Sequence, residues 1–224
     1  MDRFVRLEKL ISKEKIDLLK DKSILVLGCG GVGGYVIESL IRSGIGKIII
    51  VDGDVVDETN LNRQIIALES TIGKKKVDVF KDRILDINKD VDVITIDKFI
   101  DETNILELFN YDIDYFVDAC DTINTKKLVI KNCIDKNINL ISSMGTGNRM
   151  DPEKLEITTL DKTNNDPIAK ILRKYVRDEH INKKIKVVCS TEVAMKVDGV
   201  GSNSFVPCSA GLLISSYIIK DLIK

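Results

Sequence analysis

The sequence lacks several features that mark whole classes of protein. Its five cysteines include no CxxC pair, and their odd number argues against a disulfide scaffold or a thiolate zinc site. Its longest apolar run near the C-terminus, residues 210–219, is broken by serines and falls far short of the roughly 20 residues that a membrane-spanning helix needs. No repeat, low-complexity linker or signal-peptide pattern is visible. We therefore expect a cytoplasmic protein without stable membrane insertion.

The charge balance excludes a generally basic or acidic protein. The formal net charge is -1, so any affinity for nucleic acid must come from a local patch. The single histidine, His180, lies in a charged segment, which favours a surface position over a role as general base. The length of 224 residues suits one domain.

Apolar periodicity predicts alternating strands and helices. Strands are expected at 23–27, 47–51, 91–96, 115–119 and 140–143, and helices at 1–20, 32–42, 75–87 and 125–137. The unalternating Ile/Val run of the second strand is typical of a strand buried on both faces of a parallel sheet. The order predicts an α/β fold with a Rossmann-like, doubly wound, mostly parallel sheet. Further strands at 155–160 and 186–189, with helices at 168–180 and 211–223, are interpreted as a C-terminal extension of the same domain.

A glycine-rich loop joins the first predicted strand to the helix that follows it. Gly28, Gly30 and Gly33 form a GxGxxG pattern, and Gly31 lies inside it. Glycines let the backbone approach a pyrophosphate, while the helix N-terminus offers free N–H groups. Asp52 ends the second strand, where a carboxylate can accept hydrogen bonds from a ribose hydroxyl. These features alone fit NAD as well as ATP.

The segment after Asp52 favours ATP. Because the carboxyl ends of parallel strands face one crevice, polar residues near those ends are expected to surround the same phosphates. Arg63 and Lys76 supply cations for a triphosphate, and Asp121 is the expected Mg²⁺ ligand because Mg²⁺ is usually held by one or two carboxylates plus phosphates. The predicted nucleotide-binding residues are Gly28, Gly30, Gly31, Gly33, Asp52, Asp54, Asn60, Arg63, Gln64 and Lys76.

The motifs VDGDVVDETNLNRQ, GKKK and DACDT resemble those of the ubiquitin-activating-enzyme-like superfamily, the ThiF, MoeB and HesA group. The resemblance runs from residue 3 to about residue 221. It implies that Asp52 binds the ribose, that Asn60, Arg63 and Lys76 meet the phosphates, and that Asp121 organises Mg²⁺. It also implies that Arg6 reaches the ATP site of a second subunit in a homodimer. A solvated helix residue is the alternative for Arg6.

Four further stretches resemble the tRNA threonylcarbamoyladenosine dehydratase branch of that group. They are residues 142–152, 166–169, 190–192 and 201–207. The resemblance implies an enzyme, with ATP and Mg²⁺ as cofactors, that adenylates the carboxylate of N6-threonylcarbamoyladenosine in tRNA and cyclises it, releasing AMP and pyrophosphate. Arg63, Lys76, Asp121 and Arg6 are the expected catalytic residues. An adenylyltransferase for a ubiquitin-like sulfur carrier protein is the alternative, although the CxxC pairs common in such enzymes are absent.

This interpretation divides one domain of 224 residues into three parts. Residues 1–22 form an N-terminal helix, 23–148 the Rossmann-like ATP-binding part, and 149–224 a substrate-side and dimer part. Arg149 is expected near the modified base. Cys189 is more simply a buried residue than a catalytic thiol, and sulfur-transfer proteins stay open as partners.

A basic segment follows in the C-terminal part. Its cations are Lys170, Arg173, Lys174, Arg177, Lys183, Lys184 and Lys186. They fit either a surface for the tRNA backbone or an ordinary solvated lysine face.

Overall fold

A seven-stranded sheet organises the protein, whose computed structural model describes residues 3–224. The strands are β1 Ser23–Leu27, β2 Lys47–Val51, β3 Asp92–Ile96, β4 Tyr115–Asp118, β5 Asn139–Ser143, β6 Leu155–Thr159 and β7 Lys186–Ser190. The helices are α1 Val5–Ile11, α2 Lys13–Lys20, α3 Gly33–Arg42, α4 Lys76–Ile87, α5 Ile123–Asp135, α6 Pro167–Asp178 and α7 Val206–Leu222.

The strand order is β3-β2-β1-β4-β5-β7-β6, and only β6 pairs antiparallel, with β7. Ile24 and Val26 of β1 face a core shared with α3, α4 and α7, while Leu25 and Leu27 face a second core shared with α5. Helices thus cover both faces, and β1 and β4 are buried along their whole length and mostly apolar, because both of their faces are covered. The predicted α/β, doubly wound, mostly parallel fold is confirmed.

The chain winds in opposite directions from the centre of the sheet. From β1 it passes through α3 to β2 on one side, and it later returns to β4 on the other side of β1. The carboxyl ends of β1 and β4 therefore flank a topological switch point, which is where open α/β sheets bind ligands.

The C-terminal part continues the same sheet. Strand β7 pairs in parallel with β5, and α7 packs against α3 through Ala210, Ile214 and Ile218. Helix α7 begins at Val206, five residues before the predicted start at Gly211, with Pro207 in its first turn. Proline suits that position because the first N–H groups of a helix have no intrahelical partner.

The predicted N-terminal helix is two helices. Ser12 has φ 81 and separates α1 from α2. The change of direction lets Phe4 lie beside Gly44 while Leu19 is fully buried in the main core. Residues 1 and 2 of that prediction lie outside the described residues. No helix within residues 3–224 is long and apolar enough to cross a membrane.

Candidate nucleotide-binding and adenylation site

A cleft of about 1220 Å³ opens at the carboxyl edge of the sheet. The glycine loop, the segment after β2, the loop after β4 and the loop after β5 all contribute to its walls. Of the predicted site residues, the cleft is lined by Gly28, Gly30, Gly31, Asp52, Asp54, Asn60, Arg63, Gln64, Lys76 and Asp121. Residues distant in sequence therefore share one cavity, because parallel strands end at the same edge.

The glycine loop has a conformation that other residues do not fit. Gly28 has φ +97, and a Cβ there would lie 2.7 Å from the carbonyl oxygen of Ala119. A Cβ on Gly33 would lie 1.8 Å from the carbonyl oxygen of Gly28, so Gly33 serves the close approach of α3 to the loop and does not line the cleft. The N-terminus of α3 is thereby directed at the cleft, where its free N–H groups favour anionic ligands.

The carboxylate of Asp52 joins the end of β2 to the glycine loop. Its Oδ2 accepts a hydrogen bond from the Cys29 backbone N–H at 2.6 Å, and its Oδ1 accepts one from the Asp54 N–H at 2.8 Å. Each carboxylate oxygen can accept more than one hydrogen bond. Asp52 is therefore oriented by the backbone while retaining acceptor capacity towards the cleft.

Asp54 and Lys76, both predicted to bind nucleotide, bind each other. The Nζ of Lys76 lies 2.7 Å from Oδ2 of Asp54, and the Lys76 side chain is only 6% exposed. A backbone hydrogen bond from the Lys76 N–H to the Asp54 carbonyl oxygen adds a second contact. A buried ammonium needs a counter-charge, so a phosphate that binds Lys76 must share it with Asp54 or replace that carboxylate.

The segment after β2 folds around a short 3₁₀ turn, Glu58–Asn60. Asn60 accepts a hydrogen bond from the Asp57 N–H at 3.2 Å, so part of its amide closes this turn. Arg63 donates from Nη1 to the Thr59 carbonyl oxygen and to Asn62 Oδ1, each at 2.9 Å. These bonds fix the guanidinium at the cleft wall and use only part of its five N–H donors.

The buried side chain of Gln64 contains a hydrogen-bond acceptor that is not satisfied within residues 3–224. Its side chain is buried at the cleft wall beside Gly30, and its Oε1 has no partner among the described residues. A buried carbonyl oxygen without a donor costs free energy. A ligand that supplies a donor at this position relieves that cost.

Asp121 and Arg6 differ in where the structure places them. Asp121 is exposed in the loop after β4 and lines the cleft, with Thr122 Oγ1 at 3.5 Å from its carboxylate. Arg6 is exposed on α1 and does not line the cleft of its own chain. One chain therefore brings together all the predicted catalytic residues apart from Arg6.

Sequence reasoning missed a buried ion pair beneath the cleft. The Nζ of Lys126 lies 3.1 Å from both carboxylate oxygens of Asp118, with side chains 1% and 0% exposed. It also donates to the Ser143 carbonyl oxygen at 2.8 Å, and Ser142 Oγ donates to Asp118 at 2.6 Å. The pair thus ties together the ends of β4 and β5, whose following loops line the cleft. The sequence does contain a signal for this pair, because Lys126 lies one turn before Ile130 on an otherwise apolar face of α5.

Arg149, expected near the modified base, lines the cleft and belongs to a second buried ion pair. This residue is only 2% exposed, and its guanidinium donates to Asp166, to the Asn165 carbonyl oxygen and to the Glu192 carbonyl oxygen. Asp166 also accepts from the Gly145 N–H and caps α6 through the Ala169 N–H. Arg149 therefore holds the loop after β5 in place, and its charge is already matched inside the protein.

None of the five cysteines forms a disulfide. Cys189 is buried on β7, and burial raises the pKa of its thiol to about 11. Since the thiolate is the reactive form, Cys189 is a poor nucleophile at neutral pH. Cys120 lines the cleft, but burial and the neighbouring Asp118 raise the pKa of its thiol as well.

Comparisons with known proteins agree with this geometry. The ThiF family matches residues 2–196 of the chain. The chain is 42% identical to the tRNA threonylcarbamoyladenosine dehydratase of Bacillus subtilis, with 100% of this chain and 96% of that protein covered. It is 36% identical to the enzyme of the same name from Escherichia coli, over 89% and 73% of the two chains. The crystal structure of the E. coli enzyme TcdA in complex with ATP superposes with a TM-score of 0.94 at 33% identity, covering 99% of this chain and 93% of that one. Because the match extends over most of the chain, this protein belongs to the ThiF family.

Proposed function

We propose that this chain is an ATP-dependent tRNA threonylcarbamoyladenosine dehydratase. It adenylates the carboxylate of N6-threonylcarbamoyladenosine in tRNA and then cyclises that side chain, releasing AMP and pyrophosphate. Relatives with this activity in their names align with nearly the whole chain. The observation that carries the proposal is the convergence of the glycine loop, Asp52, Arg63 and Lys76 on one cleft.

ATP is assigned to the cleft with its ribose at Asp52 and its phosphates at the glycine loop. Arg63 presents a planar group of donors to phosphate oxygens, and Lys76 presents a compact charge. Asn60 and Gln64 add amide groups on the same wall, and the unpaired Gln64 Oε1 is an acceptor for a ribose hydroxyl or an ordered water. When the nucleotide binds, Lys76 exchanges part of its contact with Asp54 for a phosphate.

Mg²⁺ is assigned to Asp121. The residues fit this ion, because Asp121 is an exposed carboxylate on the cleft wall and Mg²⁺ commonly takes one or two carboxylates together with substrate phosphates. The described residues hold no cluster of three or more His, Cys, Asp or Glu side chains that would bind a metal without a substrate. The ion, when bound, neutralises charge on the phosphates.

The chemistry divides into two displacements. A carboxylate oxygen of the substrate first attacks the α-phosphorus of ATP and expels pyrophosphate. A nucleophile of the same side chain then attacks the acyl carbon and gives up its proton, and AMP leaves with the carboxylate oxygen, so the product lacks one water relative to the starting acid. The protein holds two anions together electrostatically and positions an intramolecular reaction, and neither step requires a cysteine.

The finer assignments are part of the same proposal. Arg6 completes the ATP site of a second subunit in a homodimer, which accounts for its position on the surface of one chain. The enzyme is assigned to the cytoplasm, and sulfur-transfer proteins are candidate partners.

The test is pyrophosphate release by the purified protein with ATP and Mg²⁺. Release is expected with tRNA that carries threonylcarbamoyladenosine, and mass analysis of the nucleosides should show loss of one water. Equal release with tRNA that lacks the modification would refute the proposal. Adenylation of a ubiquitin-like carrier ending in Gly-Gly, without activity on tRNA, would instead establish the alternative function.

A further inference from the structure

The exposed face of α6 carries basic residues that the adenylation chemistry does not use. Lys170, Lys174 and Arg177 follow one another at spacings of four and three residues, opposite the buried Ala169 and Leu172. Residues so spaced share one side of a helix, with neighbours about 6 Å apart. We call these three residues the α6 basic face.

This face begins at the mouth of the cleft. Pro167 and Ile168, the first residues of α6, line the cleft, and the N-cap residue Asp166 accepts from the Gly145 N–H at 2.9 Å. Lys170 lies one turn further along the helix. At a rise of about 1.5 Å per residue, Arg177 lies about 10 Å beyond Lys170. A polymer with one unit in the cleft can therefore pass directly onto the face.

The charge of the segment is local and largely uncompensated. Residues 167–186 contain seven Lys and Arg but only two Asp and Glu, whereas the whole chain has a net charge of -1. Among the described residues, Lys170 and Lys174 form no ion pair, and Arg177 makes only an exposed contact of 3.9 Å with Asp178. Elsewhere, Lys22, Lys47 and Lys75 are paired with aspartates at 2.9, 3.2 and 2.5 Å.

Arg173, on the same helix, is a cation with a structural role. Its Nη1 donates to both the carbonyl oxygen and the Oγ1 of Thr163, which joins α6 to the preceding loop. The three residues of the α6 basic face make no such side-chain hydrogen bond with the described part of the chain. Their charged groups are therefore not held by such bonds, and they stay available to a polyanion.

We propose that the α6 basic face binds the phosphate backbone of the tRNA beside the nucleotide held in the cleft. The proposal rests on the proposed function, because a modified nucleotide in the cleft brings its neighbouring phosphates to the start of α6. Lysine and arginine contacts to phosphates supply affinity independent of sequence and make binding sensitive to salt.

The test is the variant Lys170→Gln/Lys174→Gln/Arg177→Gln, in which glutamine preserves helix propensity. The matched control, Lys13→Gln/Lys81→Gln/Lys89→Gln, removes the same charge from exposed sites on other parts of the surface. Pyrophosphate release is measured against the concentration of modified tRNA at several salt concentrations. The melting temperature and KM for ATP are measured for both variants.

We expect KM for tRNA to rise about tenfold in the α6 variant, and the slope of log affinity against log salt to fall by about 2, at roughly 0.7 per single-stranded phosphate contact. KM for ATP should stay unchanged. The proposal would be overturned if the α6 variant kept the wild-type KM for tRNA and the wild-type salt slope. It would also be overturned if the control variant changed both to the same extent. Absence of tRNA-dependent release from the wild-type protein would instead refute the proposed function.

Discussion

At the scale of single residues, the charges in and under the cleft have different roles. Asp52 and Lys76 reach the cleft, whereas Asp118 and Lys126 lie fully beneath it and contact only the protein. A buried ion pair often adds little net stability, but the loss of one partner leaves an uncompensated charge. Variants can therefore distinguish residues that bind ligand from residues that support the site.

Lys126→Met is expected to destabilise the protein by about 3–5 kcal/mol, because Asp118 would keep a buried charge without its counter-ion. The double variant Asp118→Asn/Lys126→Met should lose much less, since neither charge remains. Urea denaturation measures both free energies of unfolding. A double variant as unstable as the single one would show that the ion pair is not the cause.

Lys76→Ala is expected to lower the rate of pyrophosphate release about 100-fold, by removing a cation that stabilises charge in the transition state. Asp54→Asn should be milder and should act mainly on KM for ATP, because Asp54 positions Lys76. Steady-state kinetics over a range of ATP concentrations separates the two effects. A larger loss of kcat in Asp54→Asn than in Lys76→Ala would indicate that Asp54 contacts the reacting groups directly.

At the scale of elements, the turn from β1 into α3 determines the shape of the proposed phosphate site. Gly28 and Gly33 allow the strand, the loop after β4 and the helix to approach within distances that a Cβ would prevent. The helix N-terminus and the end of β2 are thereby directed at the same space.

Gly28→Ala should abolish ATP binding, measured by calorimetry, and destabilise the protein. Gly73→Ala is the matched control: Gly73 has φ +81, but a Cβ at this position would have no atom within 4 Å, so the substitution isolates the backbone strain. That strain costs about 1–2 kcal/mol. If Gly28→Ala loses no more stability than Gly73→Ala and still binds ATP, the close approach to Ala119 is not essential.

At the scale of the whole molecule, the proposed homodimer assigns Arg6 to the other subunit's site. Arg6→Ala and Arg63→Ala should each be inactive alone. In co-expressed mixtures, half of the dimers are mixed and each has one intact site, so activity should recover to about a quarter of the wild-type value. Pyrophosphate release measures the recovery. Mixtures that stay inactive would contradict an in-trans role.

Much of the fold was predictable because its determinants are local. Strands β1 and β2 have the predicted bounds, because a short stretch of consecutive apolar residues, as in Lys47–Val51, leaves little freedom in where the strand starts and ends. The break between α1 and α2 at Ser12 was not predictable from the sequence. It depends on tertiary packing, which buries both Phe4 before the break and Leu19 after it. The proposed roles of the site residues stay predictions, although the structure gathers most of them in one cleft.

The sequence by itself determined the order of strands and helices, the glycine loop and the family motifs, all of which depend on neighbouring residues. Only the tertiary structure decided which charges pair. Arg149 lines the cleft as a partner of Asp166, Lys76 contacts Asp54, and Lys126 is buried against Asp118. The physical reason is that the energy of a charge depends on its burial and on its distance from other charges, and both arise only when distant segments meet.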